Sequence, residues 1–78
     1  MKFRVGGIDH EIDREMVIRT MSRKEPESIR THLVEIENRQ FPPKQVFEAV
    51  TGMDRLDFTV AQARHVLQRL GFELRRSS

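Results

Sequence analysis

The chain has 78 residues, contains no cysteine and carries a formal net charge of only +2. These values predict one small domain over residues 1–78, and they exclude disulfides and the thiolate ligands of common structural zinc sites. The longest uninterrupted apolar stretch, Met16-Val17-Ile18, is far too short to cross a bilayer, and no apolar run followed by a small-residue cleavage site predicts a signal peptide. We therefore expect a cytoplasmic protein without membrane association.

The N-terminal quarter predicts a β-hairpin followed by a helix. Lys2–Val5 and Ile8–Ile12 both alternate apolar and polar residues, and Gly6-Gly7 between them is typical of a tight hairpin turn. Asp13 is a good N-cap, because its carboxylate can accept from the free N–H groups of a first helical turn. The helix is expected to run to about Met21.

The middle of the chain predicts a short helix and a pair of strands. A proline in a first helical turn favours a helix over residues 26–32, with Ile29 facing inward. The branched apolar residues of Leu33–Ile36 predict a strand. Asn38-Arg39 is the expected turn, because Asn tolerates positive φ, and Gln40-Phe41 is the expected return strand.

Two further helices are predicted in the last half of the chain. Pro43 suits the start of a helix that ends near Val50. Thr59 and Gln62 match the S/T-x-x-E/Q capping box, which predicts a helix running to Leu70. The apolar arc of this last helix comprises Val60, Ala63, Val66, Leu67 and Leu70.

A terminal strand follows, because Phe72–Arg75 alternates apolar and charged residues, and residues 76–78 are expected to fray. The predicted class is α+β, with three to four short helices and short β-hairpins. Without the N-terminal hairpin and the short helix, the remaining order is helix–strand–helix–helix–strand. This is the order of a small winged-helix-like domain, in which the last helix reads DNA and the strand after it begins the wing.

The polar arc of the last helix is the sharpest candidate for a binding surface. Gln62, His65 and Gln68 can hydrogen-bond to base edges, and Arg64 and Arg69 can contact guanine or phosphate. The alternative interpretation is that this arc is simply the solvated face of an amphipathic helix.

Basic residues near the C-terminus add a candidate electrostatic surface. From Phe58 onward there are four arginines against one acidic residue, Glu73, and such an excess suits contact with phosphate. Lys44 lies beside the free N–H groups of a helix N-terminus, which also favour an anion. The predicted DNA-binding set is Lys44, Gln62, Arg64, His65, Gln68, Arg69, Arg75 and Arg76.

The sequence predicts neither catalysis nor a cofactor. His10, His32 and His65 lie on three separate predicted elements, so no metal site is expected. The acidic pairs Glu35/Glu37 and Asp54/Asp57 lack a neighbouring nucleophile, and Gly6-Gly7 lacks the spacing and the lysine of a phosphate-binding loop. We therefore expect a binding protein that is not an enzyme.

Four segments carry a resemblance to known proteins: Phe41-Pro42-Pro43-Lys44-Gln45-Val46, Thr51-Gly52-Met53-Asp54-Arg55, Asp57-Phe58-Thr59 through Gln62-Ala63-Arg64, and Leu70-Gly71-Phe72. They resemble a group of small uncharacterised actinobacterial proteins that have PPKQV, TGLDR, DFT, QAR and RLGF in the same order. A strand that leads into a Pro-Pro-Lys helix is also similar to N-terminal modules of some HNH-type restriction nucleases. The resemblance implies a DNA-associated role, and it assigns no role to any residue.

Two function classes remain open from the sequence. The first is a non-catalytic, DNA-binding or DNA-associated module for transcription regulation, with double-stranded DNA as its partner. The second is a protein-interaction module, including a homodimer that pairs through a strand edge such as Phe72–Arg75 or Lys2–Val5.

Overall fold

Three helices and two small antiparallel sheets form the protein, whose computed structural model describes residues 1–77. The strands are β1 (Lys2–Val5), β2 (Ile8–Glu11), β3 (His32–Ile36), β4 (Arg39–Phe41) and β5 (Glu73–Arg76). The helices are α1 (Arg14–Met21), α2 (Pro43–Thr51) and α3 (Val60–Arg69), with a 3-10 turn at Arg55–Asp57. The predicted α+β class is confirmed, and the layout is compatible with a winged-helix-like domain.

The N-terminal hairpin and α1 form as predicted. Gly6 and Gly7 have φ of 61° and 76°, a backbone that favours glycine and reverses the chain between β1 and β2. The Asp13 carboxylate accepts from the Met16 N–H at 2.8 Å and caps α1. Val17, on the inner face of α1, is fully buried.

The predicted helix over residues 26–32 is wrong, because residues 26–31 have irregular structure and His32 begins β3. The buried Gln45 side chain of α2 explains the difference. Its Nε2 donates to the Glu25 carbonyl at 2.8 Å, and its Oε1 accepts from the Glu27 N–H at 3.0 Å. These two hydrogen bonds bind the segment to α2 and give its backbone groups partners outside a helix.

The second sheet has the strand order β4-β3-β5, so the last strand of the chain pairs with β3. The β3–β4 turn is formed by Glu37 and Asn38, with φ of 49° and 66°, one residue earlier than predicted. Residues 76–78 were expected to fray, yet Arg76 ends β5 and the Ser77 N–H donates to the Thr31 carbonyl at 2.7 Å. Ser78 lies outside the described residues.

The predicted C-terminal end of α2 and the predicted start of α3 are confirmed. Gly52 ends α2 in the left-handed conformation, with φ of 76°, and its N–H donates to the Glu48 carbonyl. At the start of α3, the Gln62 N–H donates to Thr59 Oγ1 at 3.1 Å, and the Thr59 N–H donates to Gln62 Oε1 at 2.8 Å. Both hydrogen bonds of the capping box are therefore present.

One hydrophobic core joins the three helices to both sheets. α3 contributes Ala63, Val66 and Leu67, which are buried, whereas its end residues Val60 and Leu70 are only half-buried. Most of the predicted apolar arc of α3 is thus confirmed as core. Among residues 1–77, no helix combines the length and the apolar character needed to cross a membrane.

Candidate nucleic-acid interface

The outward face of α3 is polar and accessible. Its exposed residues are Ala61, Gln62, His65, Gln68 and Arg69. The Gln62 carbonyl oxygen accepts from the Thr59 N–H in the capping box, so its amide NH₂ is the group left for an external partner. Because the buried face of α3 packs in the core, this polar face has a fixed orientation on the domain.

The N-terminal hairpin flanks one side of this face. Residues of β1 and α3 line a shared groove of about 360 Å³, which includes Lys2, Arg4, Gln62 and His65. Lys2 and Arg4 alternate with buried residues along β1 and therefore point outward, although Arg4 pairs with Asp9 at 3.1 Å. Sequence reasoning missed both cations as site residues, although their strand alternation already placed them on the polar side of the hairpin.

The three-stranded sheet flanks the other side through a cluster of His32, Arg64 and Arg76. His32 and Arg76 are directly opposite each other in the β3–β5 pairing, and the half-buried Arg64 approaches from α3. Burial, and then the charges of Arg64 and Arg76, hold the pKa of His32 below its usual range. His32 was missed at the sequence level because its neighbours come from distant parts of the chain.

Arg75 and Arg76 both belong to the predicted DNA-binding set, but the structure separates them. Successive residues of a strand point to opposite faces of the sheet, so only one of the two lies on the side of His32. Arg75 instead forms a salt bridge with Glu35, and Glu73 lies 3.8 Å away. Its charge is therefore compensated within the domain.

Lys44 also lies apart from the face of α3. Its ammonium donates to the Arg55 carbonyl at 2.8 Å and lies 5.1 Å from the centre of the Phe58 ring. Lys44 thus stabilises the connection between α2 and α3 with the same group that was predicted to hold a phosphate.

Arg55 organises this connection further. Its guanidinium donates to both carboxylate oxygens of Glu27, at 2.7 and 2.6 Å, and its Nε donates to Glu48 at 2.9 Å. The hydrogen bond from Arg55 lowers the pKa of Glu27, and the two glutamates raise the pKa of Arg55. This network fixes the irregular segment before β3 against α2.

The amino-acid sequence matches the SCO5918-like family over residues 1–78. The chain belongs to the SCO5918-like family. This match confirms the membership of a small family that the sequence predicted. No curated protein and no solved structure matches the chain.

The SCO5918-like domain therefore presents one polar helix face with cations on both sides. Within residues 1–77, no group of three or more metal-ligating side chains comes together. The accessible chemistry of the α3 face is hydrogen bonding by amide and imidazole groups, together with the positive charge of Arg69. Such groups suit non-covalent recognition of a polar, anionic partner.

Proposed function

We propose that this SCO5918-like domain is a non-catalytic DNA-binding module that places α3 in the major groove. The observation that supports this proposal most is the arrangement around α3. Its exposed polar face lies between Lys2 and Arg4 of the hairpin and the His32, Arg64 and Arg76 cluster of the sheet side. A groove of duplex DNA is likewise bordered by phosphates on both sides.

The centre of the face has the groups that read bases. His65, Gln68 and Arg69 are exposed on α3 and can hydrogen-bond to base edges, while Ala61 leaves room for close approach of the helix backbone. Gln62 contributes only its NH₂ donors, because its oxygen caps the helix. We therefore assign discrimination between sequences to His65, Gln68 and Arg69.

The flanks have the groups that hold phosphates. Lys2 on one side and Arg64 and Arg76 on the other form no salt bridge with a carboxylate of residues 1–77. By contrast, Arg75 is compensated by Glu35, and Lys44 is held by its own domain. We therefore remove Arg75 and Lys44 from the proposed phosphate contacts and add Lys2.

Transcription regulation in the cytoplasm is the role that we propose for such a contact with DNA. The resemblance of its Pro-Pro-Lys helix to N-terminal modules of HNH-type nucleases supports a DNA-associated role as well. In both settings the domain supplies contact with DNA, and any chemistry belongs to another domain or protein.

Titration of labelled duplex DNA at several salt concentrations, followed by fluorescence anisotropy, tests the proposal. Contact with about four phosphates predicts a slope of log affinity against log salt of roughly −3 to −4. Gln68→Ala should reduce discrimination between duplex sequences, while Arg23→Gln, an exposed charge far along the chain from α3, serves as a control. Binding to DNA is strongest at low salt. Absence of duplex binding near about 50 mM salt would therefore contradict the proposed function.

A protein-interaction function is the second candidate, and the topology of the sheet favours it specifically. β3 is the central strand, so β5 is an edge strand whose outer side has no pairing partner among the described residues. Two copies can pair antiparallel along such an edge. This alternative predicts a mass that rises from monomer to dimer with concentration in analytical ultracentrifugation, together with negligible affinity for DNA.

A further inference from the structure

We propose that His32, Arg64 and Arg76 form a phosphate-binding site at the junction of β3, β5 and α3. This inference rests on the proposed function and deepens it, because it assigns a backbone phosphate of the DNA to one defined place on the domain. Three elements that are distant in sequence bring the three side chains together. His32 pairs with Arg76 across the sheet, and Arg64 lies on the turn of α3 that follows the half-buried Val60.

The cluster contains polar atoms without hydrogen-bond partners among residues 1–77, a feature that it shares with His10 Nε2 on another part of the domain. The Nδ1 atom of His32 and the Nε atom of Arg64 are shielded from solvent and have no hydrogen-bond partner within the described part of the chain. Buried nitrogen atoms of this kind are normally paired, since an unmade hydrogen bond costs free energy. A phosphate reaches instead the exposed guanidinium of Arg76 and the outer guanidinium nitrogens of Arg64, which have no hydrogen-bond partner within residues 1–77.

The charge of the cluster points to an anion. Arg64 and Arg76 both act on His32, and no carboxylate of residues 1–77 forms a salt bridge with either arginine. Gathering like charges without a counter-ion is unfavourable, and a bound phosphate reverses that interaction. Burial is the main cause of the lowered pKa of His32, and the charges of Arg64 and Arg76 lower it further.

A groove next to the cluster gives a phosphate room to enter. It has a volume of about 540 Å³ and is lined by His32, Arg30, Val60 and the N-terminal residues of α2, Pro42 to Lys44. The only carboxylate in its lining is that of Glu27, which Arg55 already neutralises. α2 begins there without a side-chain cap, so the partial positive charge of its N-terminus adds to the positive charge of Arg64 and Arg76.

Inorganic phosphate is the probe for the site itself, observed through the imidazole signals of the full chain by NMR. Phosphate should shift the His32 signals, while those of His10, which packs against Phe47 on another part of the domain, should stay unchanged. Arg76→Gln should weaken phosphate binding about tenfold, as expected for loss of one charge-assisted hydrogen bond. Arg23→Gln removes the same charge from an exposed loop position and should have no effect.

Folding of the variants is checked by thermal melting, and Arg64→Lys provides a second variant that keeps the charge of the half-buried position. Arg64→Lys should retain phosphate binding better than Arg64→Gln. Unchanged His32 signals in phosphate, or equal affinities of Arg76→Gln and Arg23→Gln, would overturn the site.

Duplex DNA in the same assay separates this site from the proposed function. Duplex binding that weakens in Arg76→Gln but not in Arg23→Gln supports both. Duplex binding that is equal in the two variants leaves the DNA function standing and overturns the site. Phosphate binding at His32 without any duplex binding supports the site, contradicts the DNA function and indicates a small phosphorylated ligand.

Discussion

At the scale of single residues, one buried amide determines the course of an entire segment. Gln45 is 6% exposed, and its side chain donates to the Glu25 carbonyl and accepts from the Glu27 N–H. The Gln45 amide therefore satisfies one backbone acceptor and one backbone donor of this segment. The segment before β3 consequently lies across the start of α2, where it forms one wall of the groove beside His32.

Replacement of Gln45 tests this role. Gln45→Ala should destabilise the domain by about 1–3 kcal/mol, because two backbone groups lose their partner in a partly buried place. Chemical denaturation measures the change, and amide exchange at Glu27 should accelerate well beyond the average of the chain. Gln68→Ala, on the exposed face of α3, is the matched control and should change stability by less than about 0.5 kcal/mol.

The Glu27–Arg55 pair makes stability depend on pH in the acid range. The Arg55 hydrogen bond lowers the pKa of Glu27 from its ordinary 4.5, so the folded state favours the carboxylate. The stabilisation that ionised Glu27 gives to the folded state is complete above pH 4.5, the ordinary pKa of this carboxyl group. It is lost as the pH falls through the lower pKa that Glu27 has in the folded protein. The Glu27 side chain is 46% exposed, so solvent screening limits the contribution to about 1 kcal/mol or less.

Glu27→Gln therefore predicts a smaller loss of stability between neutral and acid pH than the wild type shows. Urea denaturation at a series of pH values from neutral to below 4.5 measures this difference. Glu15→Gln, at an exposed carboxylate of α1, controls for a general change of net charge. Parallel curves for wild type and Glu27→Gln would show that the pair contributes nothing to the acid transition.

At the scale of elements, the sequence predicts those whose signals are local. The capping box of Thr59 and Gln62 predicted the start of α3, and Gly52 marked the end of α2. The 26–32 segment was predicted wrongly because its conformation depends on Gln45, about 18 residues further along the chain. The pairing of β5 with β3 is equally non-local, which is why the position of Arg76 beside His32 was not predictable from the sequence.

The Thr59 cap gives the prediction that belongs to this scale. Thr59→Ala should destabilise the domain by roughly 0.5–2 kcal/mol, because the Gln62 N–H loses its acceptor at the start of α3. Thr59→Ser keeps the hydroxyl, so its free energy of unfolding should stay near that of the wild type. Thermal and urea denaturation measure both variants, and equal losses for alanine and serine would assign the effect to the methyl group of Thr59 instead of the cap.

At the scale of the whole molecule, folding assembles a charge pattern that the composition conceals. The net charge is only +2, and the basic excess after Phe58 is local. The tertiary structure compensates Arg75 and engages Lys44 internally, while it places Lys2 of the hairpin and Arg76 of the last strand near α3. Six of the eight residues predicted for the site therefore remain in the proposed interface, and Lys2 and His32 join them through the fold alone.

This arrangement predicts that the two flanks of α3 contribute separately to DNA binding. Lys2 reaches the partner from the hairpin side and Arg76 from the sheet side, and each is expected to hold one phosphate. Lys2→Gln should make the slope of log affinity against log salt less negative by about 0.9, and Arg76→Gln by up to about 0.9, because Arg64 stays beside the same phosphate; the double variant should change it by up to about 1.8. Because the two positions share no partner in the protein, their effects on binding free energy should add.

Anisotropy titrations of the two single variants, the double variant and Arg23→Gln on one duplex measure these slopes. Arg23→Gln should keep the wild-type slope, since its exposed loop position belongs to neither flank. A slope that changes with Arg76→Gln but not with Lys2→Gln would mean that DNA lies across the sheet side only. In that case α3 would not enter the groove between two phosphate backbones, and sequence discrimination by His65 and Gln68 would lose its geometric basis.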